Sequence, residues 1–420
     1  FCINGLVGPD GRPHPGLREY QWACRPVTAE HLDGKRVRLH NRRVFASTAD
    51  LTLHWTLHVD GRSREHGELE VHVNPGTNRV VNLPVTERIR PGHECHITLV
   101  WTLTEATAWA PAGHIVAWDQ VEVTRAAPDP VRLAPGVSDQ RCRVDIDDTG
   151  IEGVWLDGRR VVTGDIVGWL WRAPTDNDGV KQGWMAERDN ARSRWMRWGL
   201  DRLAPMVDEV RIRDGADGTT IDVTRRMVGP DDEARRRTTI LVTDEGVRFD
   251  EEIAVPQAWN DLARVGVRFD VPSELERLQW MGPGPDETYP DRCGAAMVAR
   301  WESTVTDQYH PFVVPQDHGI HVDTRWFALA DASGRGFRVD ANSRFVFAAR
   351  HHHDQDLDDA RSIAELVRGE TIEVHIDAAV RGLGTAACGP DVLAPYRVGP
   401  GVHRFSYVMR PVGPAGSGSS

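Results

Sequence analysis

Two-residue alternation, recurring along most of the length, is what most constrains how this chain can fold. Leu51-Thr52-Leu53-His54-Trp55-Thr56-Leu57-His58-Val59 puts an apolar side chain at every second position. Arg36-Val37-Arg38-Leu39-His40 and His96-Ile97-Thr98-Leu99-Val100-Trp101 repeat the habit. Successive side chains of a strand point to opposite faces, so this pattern marks half-buried strands. Asp60-Gly61 and Asn74-Pro75-Gly76 supply turns between them. The pattern resumes after Leu133, as in Gly153–Val162, and continues to Val412. One stretch reads as a helix, Met185 to Trp198, with Gly199 as its stop. A second, short helix is expected to be initiated by the prolines of Pro13-His14-Pro15.

The expected fold class is therefore all-β. Residues 21–126 read as an immunoglobulin-like β-sandwich, and residues 127–412 as one large multi-sheet sandwich. Thr124–Arg132, with Ala-Ala-Pro-Asp-Pro, reads as a linker between them. Residues 1–20 are too short to hold a core and are expected to belong to something upstream. Residues 413–420 are small and polar and read as a flexible tail.

Composition narrows the function classes. A net charge of −12 argues against nucleic-acid binding, which needs a basic footprint. Only Lys35 and Lys181 among the 50 basic residues are lysine, a coding bias toward arginine. No apolar run is long enough to span a membrane, and no leader pattern opens the chain, which starts without Met and is expected to be cut from a longer sequence. Cys2, Cys24, Cys95, Cys142, Cys293 and Cys388 are scattered without a CxxC pair, which suits free thiols in a cytoplasmic protein. Fifteen tryptophans serve sandwich cores, with one or two expected at a sugar-binding surface, where pyranose C–H bonds meet a π face.

Six segments carry candidate chemistry. Phe1-Cys2-Ile3-Asn4-Gly5 is a strand end followed by a turn, the place where a barrel enzyme keeps its site residues. Arg172-Ala173-Pro174-Thr175-Asp176-Asn177-Asp178-Gly179 has three consecutive Asx side chains that cap their own backbone, or that coordinate a hard cation or hydroxyls. In Met281–Arg292, Glu287 and Asp291 beside Arg292 form an ion pair or an acid and base; an Arg neighbour lowers a carboxylate pKa and favours the structural pair. Arg381–Asp391 is glycine-rich but follows a strand and precedes no helix, so it is not a phosphate loop. Cys388 within it has no basic partner that would make it a nucleophile. His93/Cys95/His96 and His351-His352-His353 are the last candidates: on a strand, His351 and His353 share a face and can chelate a metal, although no distant partner set completes a site.

In combination and in order, Arg172–Gly179, Gly282–Arg292, Gly384–Pro390 and Phe1–Val7 followed by Pro13-His14-Pro15 resemble the C-terminal part of bacterial β-galactosidases of glycoside hydrolase family 2. The resemblance runs from Phe1 to about Pro411. It implies that residues 1–20 are the end of a (β/α)8 catalytic barrel and that 127–412 are a galactose-mutarotase-like supersandwich, the β-galactosidase small chain. It implies a retaining glycosidase acting on terminal β-D-galactose, with the catalytic glutamates upstream, so that this chain holds no catalytic residue and is inactive alone. Phe1 and Asn4 are implied to line the galactose subsite and to ligate sodium, an incomplete set because a third ligand lies upstream; the ligands for magnesium are outside this chain. Cys388 is implied to face the second sugar where a stacking Trp stands in other members, and Gly179 to open a mobile loop. Pro315-Gln316-Asp317-His318-Gly319-Ile320-His321 and Arg381 depart from the usual pattern.

The implied partners are a galactoside, the upstream domains of the same protein and further copies of the parent enzyme in a homo-oligomer, with no nucleic acid and no membrane. Three other readings compete: a stand-alone carbohydrate-binding β-sandwich protein without catalysis, a mutarotase-like isomerase using His351–His353 and Glu287 as acid and base, and one half of a split enzyme.

Overall fold

A computed structural model describes residues 5–126, 133, 141–181 and 189–413. Phe1, Cys2 and Asn4, the linker from 127, the start of the expected helix at 185–188 and the tail from 414 lie outside the described residues.

The first helix, Pro15–Ala23, begins on a proline at its first turn and ends at Cys24. It runs past Tyr20, so the β pattern begins at Val27 and not at Gln21. Pro26 lacks the N–H that would continue the helix. The helix buries no residue of its own but is tied down at its middle and just past its C-terminal end. The Glu19 carboxylate accepts from the amides of Gly294 and Ala295, both at 3.0 Å. Arg25 donates to Asp119 at 2.8 Å.

Two antiparallel sheets follow. Val27–Asp33, Arg36–Asn41 and Asn78–Asn82 form one; Arg62–Leu69, Leu51–Val59, Cys95–Leu103 and Ile115–Thr124 form the other, in that spatial order. The alternating residues meet between them: Val37 and Leu39 from one sheet against Leu53, Trp55, Leu57, Ile97 and Trp101 from the other. This is the sandwich that period-two alternation requires.

The larger region is also antiparallel throughout. A three-stranded meander, Cys142–Ile146, Ile151–Leu156 and Arg159–Thr163, covers a 12-stranded sheet. That sheet joins sequence neighbours such as Ala204–Gly215 with Gly218–Val228. It also joins distant strands, Gly246–Val255 with Gly401–Val412 and Arg264–Pro272 with Thr371–Val380. Its core holds Trp171, Trp195, Trp259 and Trp280, all buried. The helix Ala191–Trp198 stops at Gly199, in the left-handed conformation at φ 68° that glycine adopts most readily.

The two regions are docked by side chains. Trp118 Nε1 donates to the Ala295 carbonyl at 2.9 Å, and Gln120 makes paired bonds to the Val298 backbone at 3.0 and 2.7 Å. Glu94, buried, accepts from Arg325 and Arg344.

Candidate active-site cleft

Four segments remote in sequence meet around a cleft of about 330 Å³. Gly5, Leu6 and His14 come from the N-terminal segment, Thr175–Asn177 from the Asx loop, Glu287, Tyr289 and Arg292 from the third motif, and Thr385, Ala387 and Cys388 from the glycine-rich loop. Gln316 and Asp317 complete one wall.

Buried or half-buried ion pairs fix three of the four segments. Arg172 forks onto Asp178 at 3.1 and 2.8 Å and also donates to the carbonyls of Arg381 and Gly382. Both charges are fully buried, so each depends on the other for its solvation. Asp178 in turn accepts from the Thr175 amide and hydroxyl, both at 3.0 Å. The loop therefore caps its own backbone through one of its three Asx residues. Asn177 reaches across instead, donating to the Gly384 carbonyl at 3.0 Å and accepting from the Ala387 amide at 3.1 Å. Gly179 sits at φ 151°, where an added Cβ would lie 2.6 Å from Asn190 Oδ1.

Arg381, the unusual arginine, is fully buried among three carboxylates. It donates to Asp261 at 2.8 and 3.2 Å, to Asp391 at 2.7 Å and to Asp178 at 3.3 Å. It thereby ties the glycine-rich loop to the Asx loop. The amides of Leu383 and Gly384, which would cradle an anion, are taken by Asp291 at 2.8 and 2.7 Å. Cys388 is exposed at the cleft; its amide donates to the Thr385 carbonyl at 3.1 Å.

Glu287 is paired with Arg292 and accepts from the Gly319 amide at 2.7 Å. Burial pushes its carboxyl up, but the Arg292 charge and the Gly319 amide prevail and hold it below its ordinary range. Asp291 is occupied by backbone amides, so the Glu287, Asp291 and Arg292 cluster is structural. Burial raises the Tyr289 phenol far above its usual range, so it stays protonated and donates to Asp317 at 2.7 Å. The cleft thus presents fixed polar groups whose acids and bases are committed to neighbours, an arrangement suited to holding hydroxyls in place.

Several sequence expectations are corrected. His351 and His353 do not share a strand face, because the strand Gly336–Arg350 ends one residue earlier. His351 pairs with Glu276 at 2.7 Å and His353 with Asp270 at 2.8 Å, so they do not form a chelate. Neither His351 nor His353 lines the cleft with Glu287, so the isomerase pairing is absent from it. In the other set, Cys95 is buried in the sandwich core, His93 bonds Asp60 at 2.7 Å and His96 lies 3.7 Å from Glu94. No tryptophan lines the cleft among the described residues; an edge-to-face group of His14, His310 and Phe312, with centroids 4.4–5.6 Å apart, brings His14 and Phe312 there instead.

Gly5 and Leu6 reach the cleft, whereas Phe1 and Asn4, and with them the sodium expectation, fall outside the described residues. Among the described residues Cys24, Cys95, Cys293 and Cys388 are free thiols, and Cys142 donates to the Asp244 carbonyl at 3.6 Å. Gln316, which accepts from the Asp176 amide at 3.1 Å, and Asp317 are marked by the sequence only as departures from the family pattern, not as cleft residues. They lie in the irregular segment that precedes the strand Ile320–Ala330. Asp354, Glu373 and His375 cluster closely enough for a metal, but the Arg350 guanidinium already sits among them at 2.8, 3.1 and 3.0 Å.

The comparisons with known proteins agree with one another. The β-galactosidase small chain family matches residues 137–409, and β-galactosidase domain 4 matches residues 37–124. A β-galactosidase of Arthrobacter sp. (strain B7) is 29% identical over 95% of this chain and 42% of its own length. One of Vibrio cholerae serotype O1 is 27% identical over 91% of this chain and 38% of its own. The chain thus spans about two-fifths of the length of these relatives. Among solved structures, a galactose mutarotase-like protein from Clostridium acetobutylicum overlaps 64% of this chain and 92% of its own at 10% identity and a TM-score of 0.36, too distant to bear on the argument. With its larger region matched from end to end, the chain belongs to the β-galactosidase small chain family.

Proposed function

We propose that this chain supplies the scaffold and substrate-facing rim of a β-galactosidase that hydrolyses terminal β-D-galactosides with retention of configuration. One observation carries the reading: three loops remote in sequence, those of Asp178, Glu287 and Arg381, are each locked by buried or half-buried charge pairs around one cleft. Burying that many charges is costly unless the geometry they enforce is needed. Retention requires two carboxylates about 5 Å apart that act as nucleophile and acid/base. Here the cleft-lining Glu287 and Asp317 are engaged by Arg292 and Tyr289, so the reading assigns this chain binding and not proton transfer.

In this reading Asn177, Gln316 and Thr385 are polar contacts for sugar hydroxyls, and Cys388 faces the second sugar. Phe1 and Asn4 belong to the galactose subsite and its sodium. Soluble cytoplasmic action on lactose-type sugars, in a homo-oligomeric parent, completes the proposal.

The test is titration of the 420-residue chain with galactose and lactose, followed by tryptophan fluorescence, alongside nitrophenyl-β-galactoside turnover. Saturable binding without turnover is the expected result. No response at high millimolar sugar would count against the cleft as a galactoside site. Turnover above a no-protein control would overturn the assignment of catalysis to other parts of the parent. Binding that persists in Asn177→Ala and Gln316→Ala would move the sugar elsewhere on the surface.

A further inference from the structure

The cleft has two kinds of surface. Asn177, Gln316 and Thr385 bring polar groups to it, while Leu6, Val313 and Val314 bring apolar ones. Among the described residues three rings line it, those of His14, Tyr289 and Phe312. They are not equal as surfaces for a ligand. Tyr289 is buried, and the guanidiniums of Arg172 and Arg292 stand over its ring at 5.6 and 5.1 Å. Phe312 and His14 are half-buried and keep part of their surface open. Of these two, only Phe312 is apolar throughout.

Phe312 is also held in place. Its segment lies between Pro311 and Pro315, whose rings fix the backbone. The Phe312 amide donates to the His310 carbonyl at 2.9 Å, and the Val313 carbonyl accepts from the Ile363 amide at 3.1 Å. The Pro315 carbonyl accepts from Lys181 at 2.6 Å. The rings of His310 and His14 meet Phe312 edge-to-face, with centroids 4.4 and 5.6 Å away, and no described ring lies parallel on it. Burial holds His310 below its ordinary range, so that neighbour is uncharged at neutral pH. A ring fixed before the ligand arrives spares the cost of ordering it on binding.

A pyranose ring is amphipathic in the matching way, with hydroxyls around its rim and C–H bonds on its faces. In a β-D-galactopyranoside the axial O4 occupies one face and leaves the hydrogens of C3, C4 and C5 together on the other. Such a C–H face suits the electron-rich face of an aromatic ring. In a glucopyranoside, the C4 epimer, the C4 hydrogen turns to the opposite face and the patch is broken.

Resting on the proposed galactoside function, we infer that Phe312 is a specificity-determining residue of the cleft, the platform on which the C3–C5 face of a β-galactopyranose ring lies. It selects the galacto over the gluco configuration, and Val313 and Val314 extend the apolar contact beside it.

The experiment is saturation-transfer difference NMR on the whole chain with methyl β-D-galactopyranoside and, separately, methyl β-D-glucopyranoside. The galactoside is expected to respond saturably, with H3, H4 and H5 receiving more saturation than H2, which lies on the opposite face. The glucoside is expected to bind more weakly. Phe312→Leu, which keeps apolar bulk and removes the ring, is expected to bind the galactoside about fivefold or more weakly. Phe312→Tyr, which keeps the ring, is expected to stay within about twofold of the unaltered chain. A purely structural Phe312 would instead lower the urea midpoint of Phe312→Leu without changing its affinity. If Phe312→Leu does not fold, the proton pattern and the comparison of the two glycosides on the unaltered chain decide. Absence of a saturable galactoside response overturns both the inference and the galactoside reading of the cleft. A saturable response with H2 saturated as strongly as H3, H4 and H5, equal binding of the two glycosides, or undiminished affinity in Phe312→Leu overturns the inference and leaves that reading in place.

Discussion

Asp178 shows how much a single carboxylate is asked to do at the cleft. It neutralises Arg172, helps to hold Arg381 and caps Thr175, all from a fully buried position. Removing one partner of a buried pair leaves the other charge uncompensated, at a cost of about 3–5 kcal/mol. Asp178→Ala is expected to lose stability in that range by urea unfolding; a loss under about 1 kcal/mol would refute this accounting. The Arg172–Asp178 pairing was partly legible, since the two lie in one turn-rich segment. Arg381 was not: its partner Asp261 is 120 positions away, and nothing local marks that meeting. The aromatic lining was misread for a related reason. Tryptophan is abundant, but the sheet cores take most of the described ones, and half-buried Phe312 with His14 reaches the cleft.

At the scale of elements, alternation was a faithful guide. The strands 36–41, 51–59 and 95–103 fall where period two places them, because their two faces meet different surroundings. Helix ends were less legible. Gly199 was readable as a stop, while the start lay in Asn190, whose side chain accepts from the Ser193 amide in a capping box. Three residues of spacing carry that signal. Asn190→Ala is expected to cost about 1 kcal/mol, visible as a lower urea midpoint with unchanged slope. The histidine run at 351–353 was misplaced because a strand extrapolated one residue too far reverses every inference about shared faces. The order of the 12-stranded sheet was not legible at all, since pairings such as 246–255 with 401–412 join segments with no local relation.

For the molecule as a whole, buried histidines set the response to acid. Burial pushes His96, His318, His321 and His352 down to about 4 from 6.5. Between those values the unfolded chain binds protons that the folded chain refuses. Their contribution is therefore complete above pH 6.5 and is lost as pH falls toward 4. His353 works in the opposite sense. Its bond to Asp270 raises it to about 9, so its contribution is full below 6.5 and is lost as pH rises through 9. Four groups against one leave a net loss on acidification. The urea midpoint is expected to be lower at pH 5 than at pH 7.5; an equal or higher midpoint at pH 5 would refute this balance.

The scarcity of lysine has a practical corollary. Lys35 donates to the Val85 carbonyl, and Lys181 is held by the carbonyls of Pro315 and Leu357 with Asp358 at 3.7 Å. Burial lowers the Lys181 ammonium to about 8, but its three partners leave the nitrogen little freedom to attack a reagent. Amine-directed resins and cross-linkers therefore meet almost no available side-chain nucleophile on this protein. Attachment to a surface is better directed through an exposed thiol such as Cys24, once Cys388, exposed at the cleft, is replaced by serine.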